Sequence, residues 1–113
     1  MRWVLRSKIH KAIVTDENLD YVGSIGIDKT LVEKVGLWMG EKVLVVDNTN
    51  GARLETYVIE EEDNSGKIVM YGAASRLIKK GDEIIIMGFE LTDKLIKIKN
   101  ILVDKNNKFV KFL

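Results

Sequence analysis

Two stretches of this chain follow one plan: Gly40-Glu41-Lys42-Val43-Leu44-Val45-Val46 and Gly81-Asp82-Glu83-Ile84-Ile85-Ile86-Met87. In each, a glycine and an acidic residue read as a turn, and the aliphatic run behind them reads as a buried strand. Each also follows a short segment with helical potential. A duplicated strand–helix–turn–strand unit closes into a small barrel with pseudo-twofold symmetry, which leaves few open sheet edges. At 113 residues the chain has room for one such core and no second domain.

The remaining punctuation fits a mainly β fold with short helices. Trp3 to Val14 is rich in extended formers, and strict alternation puts Lys8, His10 and Ala12 on one face, with Ile9, Lys11 and Ile13 on the other. Asp28 before KTLVEKV and Gly36 after it predict a capped helix of about two turns, burying Leu31, Val32 and Val35. Val43 to Val46 and Arg53 to Ile59 are strands joined through Asp47-Asn48-Thr49-Asn50-Gly51. Further strands are predicted at Lys67 to Tyr71, Ile84 to Phe89, Leu95 to Val103 and Lys108 to Phe112.

Composition excludes several classes of function. A net charge of +1, with 31% charged residues, gives no electrostatic reason to expect nucleic acid or an anionic membrane as partner. The absence of cysteine removes disulfides, thiolate nucleophiles and Cys-ligated metals. His10 is the only histidine and no ligand spacing is recognisable, so no metal is expected. Arg2, Arg6 and Lys8 interrupt any apolar leader, and the run Ile84 to Gly88 is too short to span a bilayer, so the expected location is cytoplasmic.

One dipeptide stands out chemically. Gly23-Ser24, within YVGSI, has the ordinary reading of a tight turn with positive φ at the glycine and a solvated hydroxyl. The sharper reading is that the Ser24 oxygen attacks the preceding carbonyl, which glycine leaves sterically open. The peptide becomes an ester, and β-elimination followed by hydrolysis leaves a ketone, a pyruvoyl group, at position 24. Such a ketone forms a Schiff base with a substrate amine and accepts electrons as a carboxylate departs as carbon dioxide. No Gly-rich phosphate loop or Gly-x-Ser-x-Gly elbow offers another route.

Four blocks, SKIHKAIVT (Ser7 to Thr15), LDYVGSIGID (Leu19 to Asp28), NTNGARLETY (Asn48 to Tyr57) and YGAASRL (Tyr71 to Leu77), occur in an order and spacing that closely resembles the aspartate 1-decarboxylase family. Its members are pyruvoyl enzymes that make β-alanine for pantothenate synthesis. The likeness runs from about Arg2 to Phe89. It implies a closed double-psi β-barrel assembled as a homotetramer with active sites between protomers. It also implies self-cleavage between Gly23 and Ser24 into a β chain, 1–23, and an α chain, 24–113.

By the same resemblance, Ser24 is the pyruvoyl precursor, Thr56 assists processing and Tyr57 donates the proton that replaces carbon dioxide. Arg53 binds a carboxylate of L-aspartate, Lys8 and His10 contribute to the pocket, and Gly72, Ala73 and Ala74 line it. The residues alone also allow blander roles: Arg53 as a surface strand residue, His10 as a hydrogen-bonded structural histidine, and Gly72 to Ala74 as a close-packed turn before a short helix. Thr56 and Tyr57 fall on opposite faces by alternation, and Arg53 and Tyr57 share a face about 13 Å apart along an ideal strand. Tyr71 departs from the pattern, which usually has asparagine beside the processing site. That leaves slow maturation, maturation with an accessory factor, or an unprocessed chain as the possible outcomes. The competing reading of the whole chain is a non-enzymatic β-barrel module for assembly or binding, with Gly23-Ser24 an uncleaved turn.

Overall fold

The computed structural model describes residues 1–113. Strands β1 (Arg2–Ile13), β2 (Asp16–Asn18) and β3 (Ser24–Asp28) precede helix α1 (Lys29–Val35). They are followed by β4 (Lys42–Asp47), β5 (Arg53–Glu61), β6 (Ile68–Tyr71), a 3-10 helix at Gly72–Arg76, β7 (Glu83–Thr92), β8 (Lys99–Val103) and β9 (Phe109–Phe112).

Local chemistry sets the element ends. Asp28 caps α1 by accepting from Thr30 N at 2.9 Å, and its carboxylate also accepts from Asn64 N and Gly66 N, each at 2.8 Å. One buried acid thus satisfies the helix start and the turn before β6 together. Gly36 ends the helix in the left-handed region at φ 72. Leu31, Val32 and Val35 face the core, as the spacing predicts.

The strands pair in the order β2-β6-β3-β5-β4-β7-β1-β8-β9. The order closes on itself where β1 runs out: Thr15 N donates to Ile68 O at 2.8 Å, and the Asn107 side chain donates to both Ile13 O and Gly66 O at 2.8 Å. These bonds join the end of β1 to the start of β6 and shut a small barrel around Ile9, Ile25, Ile27, Val45, Ile68, Ile84 and Ile86, all fully buried. The mainly β, small-barrel reading is borne out.

The repeat in the sequence is also a repeat in space. β4 and β7 are antiparallel neighbours with Val45 facing Ile86, and β3 and β6 are antiparallel neighbours with Ile27 facing Ile68. A single sequence offset converts Val45 into Ile86 and Ile27 into Ile68, so the pseudo-twofold axis passes through both pairs. The turn glycines correspond as well, Gly40 at φ 82 and Gly81 at φ 92.

Two expectations need correction. Alternation does not persist through β1, because Lys11 sits at φ 65 and the register slips between Ile9, paired with Ile86, and Ala12, paired with Ile84. This bulge turns Ala12 to the core face beside Ile9 and away from Lys8 and His10. Nor does the tail strand begin at Leu95: that side chain is fully exposed, and β8 starts at Lys99, where Ser7 becomes its parallel neighbour. No helix is long and apolar enough to cross a membrane.

Candidate active site

Ser24 opens β3 between two neighbours. Along β6 it pairs with Tyr71, and along β5 the parallel register Ile25 to Val58, carried back one and two residues, sets Ser24 level with Tyr57 and Gly23 level with Thr56. Ser24 is 1% exposed, and its hydroxyl donates to Val22 O at 3.0 Å.

Gly23 is exposed and its φ is not positive, so the turn reading of this dipeptide loses its premise. A Cβ added there would meet only Tyr71 O, at 3.9 Å. Neither backbone conformation nor space requires glycine at 23. At Gly72 both do: φ is 70, and a Cβ would lie 2.6 Å from Gly23 Cα and 3.0 Å from Gly23 N. The missing side chain of Gly72 therefore lets the Gly23 backbone settle beside Ser24. Ser75 Oγ donates to Gly72 O at 2.7 Å and holds this bend, while Ala73 is exposed and Ala74 packs on the core.

On β5 the alternation holds. Thr56 is half-buried and Tyr57 exposed, and Arg53, Glu55 and Tyr57 share the outward face. Arg53 stands opposite Val46 at the hairpin start. Lys8 on β1 lies between Met87 and Asn100, and His10 lies beside Leu102. No side-chain hydrogen bond or ion pair links Lys8, His10 or Arg53 to Ser24, to Tyr57 or to one another. The hydrogen-bonded structural role for His10 is not met, because its buried Nδ1 has no partner. One chain thus brings Gly23, Ser24, Thr56, Tyr57, Tyr71 and Gly72 to one locus and leaves Lys8, His10 and Arg53 outside that network.

Tyr71 donates its phenol to Glu61 Oε2 at 2.8 Å, and its ring packs on Tyr21 with centroids 4.7 Å apart. Burial, then the Glu61 carboxylate, pushes the Tyr71 pKa up to about 12, so the phenol stays a donor at neutral pH. A cleft of about 300 Å³ lies over this pair, lined also by Thr15, Asp16, Asn18 and Lys67. A second, of about 550 Å³, lies between Trp3, Val43 and Phe89. Ser24 lines neither of them. The sequence reading did not single out Glu61, which sits in the acidic run Glu60-Glu61-Glu62 and passes for a solvated residue. The available signal was Gly26, an isolated glycine inside a strand, which marks a close approach by another group.

A self-contained β-barrel presenting a buried serine behind an unforced glycine defines the class, a small barrel with a candidate self-processing bond. Comparison with known proteins gives the family. The aspartate decarboxylase family matches residues 1–110, and the chain belongs to it. It is 52% identical to an aspartate 1-decarboxylase of Caldicellulosiruptor saccharolyticus, over 96% of this chain and 88% of that one. It is 51% identical to the aspartate 1-decarboxylase of Thermoanaerobacter pseudethanolicus, over 95% of both chains. It is 50% identical to that of Acetivibrio thermocellus, over 95% of this chain and 88% of the relative.

Proposed function

We propose that this chain cleaves its own Gly23–Ser24 bond and, with the ketone left at position 24, decarboxylates L-aspartate to β-alanine and carbon dioxide, the supply step for pantothenate synthesis. The observation that carries the reading is the pairing of a glycine the fold does not need with a buried serine hydroxyl directly behind it. Membership of the aspartate decarboxylase family supports the reaction.

In cleavage, the Ser24 oxygen bonds to the Gly23 carbonyl carbon as the C–N bond breaks, and the hydroxyl proton passes to the freed amine. Loss of the Cα proton of residue 24 then expels the Gly23 carboxylate and leaves a carbon–carbon double bond. Water replaces the nitrogen, which leaves as ammonia, and the pyruvoyl ketone remains. Thr56, level with Gly23 in the β3/β5 register, supplies a hydroxyl for the carbonyl under attack. The products are a β chain, 1–23, and an α chain, 24–113.

When formed, the pyruvoyl carbonyl supplies an electron sink for the bond that loses carbon dioxide. Tyr57, level with Ser24, is the phenol that delivers a proton to the carbon that lost the carboxylate. The Arg53 guanidinium, free of any carboxylate in the chain, holds the retained carboxylate bidentately. Lys8 adds positive charge, His10 contributes its imidazole to the pocket, and Gly72, Ala73 and Ala74 leave room along the pocket wall. Since no hydrogen bond or ion pair joins Lys8, His10 or Arg53 to Ser24 within one chain, the pocket is completed between copies in a homotetramer. A cytoplasmic setting fits this biosynthetic role.

Denaturing mass spectrometry of the purified protein tests the reading. Two fragments separated after Gly23 are expected, the heavier gaining two hydrogens on borohydride reduction, together with release of carbon dioxide from aspartate. An intact chain with no carbon dioxide released would overturn it. A Gly23→Ala variant is expected to fold and to remain in one piece, separating the chemical demand for glycine from a structural one.

A further inference from the structure

We infer that Gly26, Glu61 and Tyr71 form a positioning unit that holds the loop before the scissile bond, in place of the asparagine usual in the family. The inference rests on the proposed self-cleavage and concerns how this chain achieves it. Ser24, Gly26, Val69 and Tyr71 alternate with the core residues Ile25, Ile27, Ile68 and Met70, so they share the outer face of the β3/β6 pair. On that face, the Glu61 carboxylate occupies the space a side chain at 26 would take: an added Cβ would lie 2.8 Å from Glu61 Cδ and 2.9 Å from its Cγ. From this seat Glu61 accepts the Tyr71 phenol at 2.8 Å. The Tyr71 ring is thereby fixed opposite Ser24 and packs against Tyr21, two residues before Gly23.

An asparagine at 71 would reach the processing bond with its own short amide. A tyrosine carries its polar atom past that point, so its effect on the bond passes through ring packing and needs an anchor at the far end. Glu61 is that anchor, and Gly26 makes room for it. The other charged groups facing the contact are Asp16 from β2 and Lys67 before β6, both lining the same cleft. Lys67 is drawn toward Glu62, at 3.7 Å, leaving Glu61 to the phenol.

The test follows cleavage of freshly purified precursor with time by denaturing mass spectrometry, with melting temperature measured in parallel. Tyr71→Phe and Glu61→Ala are each expected to slow cleavage about tenfold, the loss typical of one hydrogen bond to a charged acceptor. The double variant should be no slower than either single one, since both break the same contact. Glu61→Gln keeps an acceptor for the phenol and should cleave within about twofold of wild type. Gly26→Ala should slow cleavage while Glu61 is present and have no effect in the Glu61→Ala background, a dependence that a general loss of stability would not reproduce. Wild-type rates in Tyr71→Phe or Glu61→Ala, or additive slowing in the double variant, would overturn the positioning unit while leaving self-cleavage intact. An uncleaved wild type would overturn the reading beneath it.

Discussion

Substituting Gly72 with alanine probes the approach between the 3-10 helix and the scissile loop. Two costs can be separated. The first is conformational: at φ 70 an alanine costs about 1–2 kcal/mol in the left-handed region. Spread over the unfolding entropy of a domain this size, that is a fall in melting temperature of about 4–8 °C. The second is steric. The new Cβ would stand 2.6 Å from Gly23 Cα, whereas unstrained carbon atoms sit about 3.5 Å apart or more, so something must move by about 1 Å. Gly72 is buried and tied through Ser75, whereas Gly23 is exposed, so the scissile loop yields. Displacement of a reacting group by about 1 Å costs on the order of 100-fold in rate. Gly72→Ala should therefore melt a few degrees lower yet remain folded by circular dichroism, while cleavage, timed by mass spectrometry, slows about 100-fold. Cleavage at the wild-type rate in a folded variant would refute the claim that this glycine positions the bond.

Further outcomes are expected elsewhere. Tyr57→Phe should leave cleavage intact and lower decarboxylation per mature site about 100-fold, as removal of a general acid does; unchanged turnover of aspartate would remove Tyr57 from the proton step. Asp47 is 2% exposed, Oδ1 accepts from Thr49 N and Asn50 N, and Oδ2 meets no donor against the Asp82 carboxylate. Burial and then Asp82 hold its pKa above the usual value, so its contribution is full below that value and fades as pH rises through the raised one. Asp47→Asn, which presents an amide to Asp82, should raise stability at neutral pH by about 1 kcal/mol and flatten this fall; an unchanged melt would refute it. Tyr71, with its pKa pushed up to about 12, should ionise well above the ordinary tyrosine value of about 10, its stabilisation complete below about pH 10 and lost as pH climbs past its own pKa. Absorbance titration of wild type and Tyr71→Phe would show the late phenolate vanish, or show the assignment to be mistaken.

What could be read without coordinates was local. The Asp28 cap, the Gly36 stop and the Asp47-to-Gly51 turn each act within a few residues of themselves, and each is found where its chemistry predicts. The repeated glycine–acid–strand unit also survived, because its two copies, β4 and β7, pair with each other antiparallel. The bulge at Lys11 was illegible because alternation looks the same until one residue drops out of register. The stretch after Leu95 has strand-like alternation but no neighbour to pair with before Lys99. β2, three polar residues against β6, has no signal of its own. At the site, recognisable blocks brought attention to Ser24, Tyr57 and Arg53, whereas the Glu61–Tyr71 contact depends on two strands folding onto a glycine between them, which no short window contains.

The position of β1 bears on what a cut after Gly23 would do. β1 is flanked by β7 through nine register pairs and by β8 through four, so the shorter fragment is woven into the middle of the barrel, whose wall would have to open before it could leave. The mature protomer would be a heterodimer of its own two pieces, stable while assembled. Heating would release both pieces, and recovery on cooling would become a bimolecular search that dilution defeats, whereas the precursor could refold alone.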